Sequence, residues 1–80
     1  MKLSIYSLKK ILFQGKAISL NCKTPLGEIT VLDNHEPLIS ILSEGVLKVK
    51  DQLQKEYFFP IKSGFLKVNY GNEVKCMVEQ

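Results

Sequence analysis

The chain has no arginine. All eleven of its basic residues are lysines, set against eight acidic residues for a net charge of +3. Arginine's planar fork reads phosphates and guanine edges bidentately, so its absence weakens any case for specific nucleic-acid recognition. There is a single histidine, His35, and there are only two cysteines, Cys22 and Cys76, far apart and in no CxxC pair. That set does not complete a structural zinc site. The cysteines read as small buried apolar side chains in a reducing compartment. A disulfide would need both a fold that joins them and an oxidising compartment. No apolar run approaches the ~18 residues of a membrane span. The N-terminal stretch MKLSIYSLKK is interrupted by serines and ends on two lysines, unlike a secretory signal. The phosphate-binding glycine motifs and the H-E-x-x-H zinc motif are missing. There is also no linker, no low-complexity tract, no internal repeat and no segment with a 3.6-residue apolar period.

What remains is a chain of short strands. Eighty residues allow one domain, and a chain of that size buries only about 60–65% of its unfolded surface. Period-2 alternation and turn signals every 8–12 residues place strands at 2–8, 11–13, 16–22, 28–32, 38–42, 46–50, 55–61, 65–70 and 73–78. Gly15 marks a bulge or bend between the second and third. In 16–22 the alternation puts Ile18, Leu20 and Cys22 on one face and Ala17, Ser19 and Asn21 on the other. The YGNE corner at 70–73 is a tight-hairpin signal, because Gly and Asn tolerate positive φ. The fold class that follows is all-β, a small antiparallel β-sandwich or flattened barrel of about 8–10 short strands. Two strands, LISIL at 38–42 and EYFFPI at 56–61, are apolar on both faces. A half-solvated strand should have one wet face, so each is either covered by a loop or sheet corner or presented to another molecule. Pro60 cannot donate to a ladder and puts its strand at an edge or bulge.

Chemistry is scarce. Asp33, His35 and Glu36 are local neighbours, but nothing beside them supplies a nucleophile or an oxyanion hole. A binding or structural module is therefore expected, with no catalytic residues, no metal and no cofactor. Lys48 and Lys50 share a strand face by spacing, and Lys67 is a third candidate to join them. They define the alternative reading, a small lysine-rich β-barrel nucleic-acid-binding module, which the missing arginines and the lack of interleaved exposed aromatics oppose.

GEITVLDNHEPLISIL (27–42), followed by EGVLKVK (44–50), resembles the ε subunit of the F-type ATP synthase, through Gly27, Glu28, Val31, Leu32, His35, Pro37, Leu38, Gly45, Val46 and Leu47. The opening strands are similar at Leu3, Ile5, Ser7, Leu12, Phe13 and Gly15, and FFPIKSGFLKV (58–68) resembles the family's later strand pair. Thr30 and Ser63 stand where glycine is usual, and Glu36 where a small residue is usual. The resemblance covers residues 1–80 in order and implies the N-terminal β-sandwich domain of that subunit. The family's C-terminal helical hairpin has no counterpart in these residues, so a short form is expected, and the ATP binding and hydrolysis inhibition of some members' hairpins are not carried over.

The resemblance further implies a non-catalytic rotor part of the central stalk, coupling rotation of the membrane c-ring to the γ shaft during proton-driven ATP synthesis. Its partners would be the γ subunit and the c-ring, with no nucleic acid, and with membrane contact only through the complex. It would be a peripheral subunit on the cytoplasmic face of the inner or plasma membrane, with no signal peptide or transmembrane segment. Glu28, Asn34, His35, Ser7 and Ser40 are the expected contacts with shaft or ring. Pro37 restricts Glu36 to extended conformations and so shapes the loop that carries His35.

Overall fold

A computed structural model describes all of residues 1–80. It contains eight strands and no helix: β1 (Lys2–Tyr6), β2 (Ile11–Thr24), β3 (Gly27–Leu32), β4 (Leu38–Leu42), β5 (Gly45–Asp51), β6 (Glu56–Ile61), β7 (Ser63–Asn69) and β8 (Glu73–Glu79). The strands run in the order β4-β7-β8-β1-β2-β5-β6, with β3 added on β2. β2 belongs to both layers. Its first half, residues 11–16, pairs with β1 and completes a first sheet, β4-β7-β8-β1-β2. Its second half pairs with β3 on one side and β5 on the other, in a second sheet that ends at β6. The architecture is thus an all-β sandwich. Two features differ from the expectation. The sheet does not close into a barrel, and it is mixed, because β1 and β8 run parallel.

The long β2 replaces the two strands read at 11–13 and 16–22. Gly15 is neither bulge nor bend: its φ of 159° is extended backbone. Irregularities flank it instead: the β1–β2 register shifts between Ile5 and Tyr6, opposite residues 11–13, and the β2–β5 register shifts between Ala17 and Ser19. That extra residue changes the phase of the alternation. Ala17 is buried together with Leu20 and Cys22, while Ile18 is only half-buried. The expected face assignment of 16–22 therefore holds after the shift and fails at Ala17 and Ile18. A strand that passes from one sheet to the other must bend, and a bulge supplies the bend.

Sixteen residues form the core between the layers. Leu3, Ile5, Leu42, Leu66, Val68, Val74, Cys76 and Val78 come from the first sheet, Ala17, Leu20, Cys22, Val31, Leu47, Val49 and Ile61 from the second, and Met1 from just before β1. Both cysteines are free and buried. Burial pushes the Cys22 thiol up to about 11, helped by the charge of Glu28, and the Cys76 thiol up to about 12, with Cys22 contributing. Pro60 lies on β6, an edge strand, where its missing donor costs no ladder bond. The Tyr70–Asn72 corner has positive φ at Gly71 and Asn72 (82° and 60°), the left-handed geometry that these two residue types tolerate best.

Candidate interaction surface

The two sheets have very different outer faces. Strand registers put Ile41 beside Phe65, Phe65 beside Met77, Met77 beside Tyr6, and Tyr6 beside Ile11. These five side chains form one apolar row across the whole first sheet. None faces the core: Ile41, Phe65, Met77 and Ile11 are exposed and Tyr6 is half-buried. Two residues further along β4, β7, β8 and β1, and three along β2 across its register shift, a second row reads Ile39, Lys67, Lys75, Ser4, Gln14. Its Ile39 is 74% exposed, which makes it the most exposed large apolar residue inside any strand. Two open depressions adjoin these rows. One, of about 490 Å³, has Ser4, Tyr6, Ile11, Gln14 and Lys75 among its walls, and the other, of about 340 Å³, has Ile39 and Lys67.

The second sheet's outer face is mostly polar and internally paired. Asn21 Nδ2 donates to Glu28 Oε1 at 3.1 Å and to Thr30 Oγ1 at 2.9 Å. Lys48 Nζ bonds Glu56 Oε2 at 2.7 Å. That lysine, reached also by the charge of Lys50, holds the Glu56 carboxyl below its usual range. Thr30, one of the departures from the family pattern, is thus a hydrogen-bond partner on this face. Phe58 is its exposed aromatic, while Tyr57 and Phe59 on the same strand turn inward and pack edge-on against Phe13, with ring centroids 5.2 and 6.4 Å away. The two strands with apolar residues on both faces therefore resolve differently. Ile39 and Ile41 of β4 join the exposed first face, whereas two of the three aromatics of β6 pack within the domain.

The expected contact residues fall in three places. Ser7 lies in the β1–β2 turn beside the apolar row. The backbone N–H groups of Lys9 and Lys10 both donate to its Oγ at 3.3 Å, so it organises that turn. Ser40 is on β4, half-buried on the side of Leu38 and Leu42, with its hydroxyl donating to the Ile41 carbonyl at 3.0 Å. Glu28 is near the start of β3, and Asn34 and His35 follow its end. The structure does not bring Glu28 and His35 together, because roughly 13 Å of extended strand separates the two ends at about 3.3 Å per residue.

The loop holding His35 is built from its neighbours. The Asn34 N–H donates to Asn72 Oδ1 at 2.7 Å, and Asn72 Nδ2 donates to Asp33 Oδ1 at 3.4 Å. Asp33 also pairs with the N-terminal ammonium. That bond, more than the opposing desolvation, with help from Asn72 and the ammonium charge, holds the Asp33 carboxyl below its usual range. His35 Nδ1 sits 2.7 Å from the Glu36 carbonyl oxygen. A carbonyl only accepts, so Nδ1 carries a proton and Nε2 is the nitrogen left for a partner. The three-residue cluster Asp33, His35, Glu36 therefore serves loop geometry. Lys48 and Lys50 lie on the second sheet's outer face and Lys67 on the first's. No single basic strip contains all three, and the nucleic-acid reading gains no support.

The exposed row itself could not be read from the sequence. Its members come from five strands, and only the pairings, including the parallel contact between the first and last strands, align them.

A family model described as "ATP synthase, Delta/Epsilon chain, beta-sandwich domain" matches residues 1–80. Among curated proteins, the ATP synthase epsilon chain of Clostridium novyi is 37% identical over 68 residues, which is 85% of this chain and 52% of that one. That of Corynebacterium jeikeium is 35% identical over 66 residues, 81% of this chain and 54% of the relative. The Brevibacillus brevis epsilon chain is 25% identical over 79 residues, 99% of this chain and 59% of the relative. The chain thus spans a little over half the length of the curated relatives it matches. Among solved structures, a chain of the Euglena gracilis mitochondrial ATP synthase (OSCP/F1/c-ring) superposes with a TM-score of 0.93 at 23% identity, covering all of this chain and 51% of that one. A chain of the Tetrahymena thermophila mitochondrial ATP synthase central stalk and c-ring superposes at 0.86 with 16% identity, covering all of this chain and 63% of that one. At such identities the superpositions speak for the fold alone. The match across all of residues 1–80 and the identities of 35% and more to epsilon chains show that this chain belongs to the β-sandwich family of ATP synthase delta/epsilon chains.

Proposed function

We propose that this domain is a non-catalytic rotor part of the central stalk of an F-type ATP synthase, helping to couple c-ring rotation to the γ shaft. The observation that carries the reading is the exposed row Ile41–Phe65–Met77–Tyr6–Ile11. Five apolar side chains aligned across a whole sheet form a contiguous patch that a soluble monomer seldom shows to water. A rotor part is rarely free, and its shaft would cover such a face. The second sheet, with its hydrogen-bonded Asn21–Glu28–Thr30 cluster and its Lys48–Glu56 pair, has no comparable need for a cover. The domain also suits transmission of torque: sixteen core side chains lock two sheets together, and one strand is common to both.

The ends of the sandwich supply the remaining proposed contacts. Ser7 borders the apolar face, Ser40 lies on the inner side of the edge strand β4, and Glu28 lies at one end of β3 with Asn34 and His35 at the other. A partner that covers the first sheet and wraps its β4 edge would engage Ser7 and Ser40, and contacts at both ends of β3 would engage Glu28 and the Asn34–His35 loop. The domain would then sit on the cytoplasmic face of the membrane through the complex; no helix is long and apolar enough to cross a membrane.

The test is reconstitution with the γ subunit and c-ring of the same organism. The wild-type chain should co-purify with them, and Ile41→Asp, which sets a charge at the β4 end of the covered row, should be lost from the complex while still folding. Retention of Ile41→Asp at wild-type level would remove the shaft from this face. His35→Ala should keep the fold, costing under about 1 kcal/mol as a loop truncation, and weaken the complex about five- to thirty-fold if its ring meets a partner.

A further inference from the structure

We infer that the protein covering the first sheet presents carboxylates along one flank of an apolar ridge; this rests on the docking face proposed above and adds the partner's chemistry. Lys67 and Lys75 are direct register partners on β7 and β8. Like charges directly opposite each other on a sheet destabilise it, and here nothing in the domain relieves them fully. Lys75 Nζ reaches Glu73 only at 3.9 Å, and Lys67 forms no ion pair. The next row outward reads Asn69, Glu73, Lys2, Lys16. The face therefore carries Lys67, Lys75, Lys2 and Lys16 with Glu73 on one side of the apolar row, and Glu79 on the other.

The opposite face handles its charges differently. Lys23 is the register partner of Glu28, and Lys48 is bonded to Glu56. On that face a lysine stands opposite a carboxylate or is bonded to one, whereas the Lys67–Lys75 pair on the apolar face sets lysine against lysine, offset only by the 3.9 Å Lys75–Glu73 ion pair. An acidic partner supplies Lys67 with the carboxylate that the domain does not. The strand lysines Lys67, Lys75, Lys2 and Lys16 lie on one side of the apolar row, with the turn lysines Lys9 and Lys10 beyond its other side near Glu79, and residues two apart on a strand are about 6.6 Å apart. A matching partner has its carboxylates about that far from its apolar ridge, on the side facing Lys67 and Lys75.

The row also sets the length of the partner. Five strands at about 4.8 Å spacing span roughly 19 Å, which an α-helix covers in about 13 residues at 1.5 Å each. An amphipathic helix with an apolar stripe and Asp or Glu along one border fits both dimensions. The row's two aromatics, the exposed Phe65 and the half-buried Tyr6, are separated by Met77 at its centre, rather than forming the repeated stacking platforms that single-stranded nucleic acid uses.

The experiment compares Lys67→Gln/Lys75→Gln, Phe65→Ala and wild type for binding to the purified γ subunit of the same organism, and for binding to phosphatidylglycerol vesicles. The lysine double variant should bind γ about tenfold more weakly at low salt, and the difference should shrink at about 500 mM salt, where exposed charges are screened. Its free-domain thermal midpoint should be equal or higher, because the opposed lysines are gone. Phe65→Ala should weaken binding at both salt concentrations. If Phe65→Ala weakens binding and the lysine variant does not, the acidic partner is wrong while the docking face stands. If neither variant changes binding, the docking face itself falls. Lysine-dependent binding to the vesicles with unchanged binding to γ would assign the lysines to lipid and overturn the inference.

Discussion

Phe65 and Phe58 make a matched pair for testing which face meets a partner. Each is 59% exposed, each sits mid-strand, and they point out of opposite sheets. A phenylalanine offers about 200 Å², so each has roughly 120 Å² that a partner can cover. At about 25 cal/mol per Å² that is ~3 kcal/mol as an upper limit. If half is realised after ordering and desolvation costs, Phe65→Ala loses about 1.5 kcal/mol of binding, or roughly tenfold in affinity. The free domain should hardly notice. Phe65 contributes exposed cross-strand contacts with Ile41 and Met77, worth about 0.2–1 kcal/mol each, and Phe58 is likewise outside the core. Calorimetric titration with the γ subunit, alongside thermal unfolding of both variants, separates binding from stability. Phe65→Ala should bind about tenfold more weakly and Phe58→Ala should bind like wild type. Equal losses, or a larger loss for Phe58→Ala, would refute the assignment of the docking face.

Other parts of the molecule make separate predictions. A Cβ at Gly64 would stand 2.6 Å from the Met77 carbonyl oxygen. That atom is backbone and cannot swing aside, so Gly64→Ala should destabilise the domain by about 1–3 kcal/mol in urea unfolding. Leu20, at the centre of the core, should cost about 2–5 kcal/mol when cut to alanine, by the same assay. Burial disfavours the charged form of Asp51, but the N–H groups of Lys55 and Leu53 and the Tyr57 hydroxyl outweigh it and hold the carboxyl below its usual range; Asp33 is lowered too. Folded pKa values below the unfolded ones mean stability that is complete above the usual carboxylate range and lost as pH falls through it. Thermal midpoints should therefore drop on acidification, and Asp51→Asn should flatten part of that drop. Cys22 and Cys76, protonated and buried, should resist a thiol-specific reagent at neutral pH and react once the chain is unfolded in denaturant.

The strands themselves were legible because their signals are local. Alternation, Gly-Asn at the Tyr70–Asn72 corner and Pro60 on an edge all act over a few residues. The two-faced pattern of LISIL correctly flagged Ile39 and Ile41 as unusual. EYFFPI raised the same flag for a different reason, since Tyr57 and Phe59 find Phe13 on a distant strand, a contact no local pattern encodes. The phase shift after Ala17 was illegible because it depends on β2 changing sheets. Glu28 and His35 belong to one sequence motif, yet they fall at opposite ends of β3. The apolar row needed four registers to be known together, and one of them joins β1 to β8, the two ends of the chain. The Lys67–Lys75 opposition required the same knowledge; seven residues of sequence separate two side chains that share a register position.

The central claim, that the first sheet's outer face is covered in the rotor, is tested most directly by the chain's own methionines. Met77 is 44% exposed in the middle of the apolar row, while Met1 is 6% exposed inside the core. Pulse oxidation followed by mass spectrometry reads the two thioethers in one sample, with Met1 as the internal reference for folding. The account predicts that Met77 is oxidised readily in the isolated domain and protected once the domain is assembled with γ and the c-ring, with Met1 protected in both. Equal oxidation of Met77 in the free and assembled states, with Met1 still protected, would show this face open to water and contradict the account.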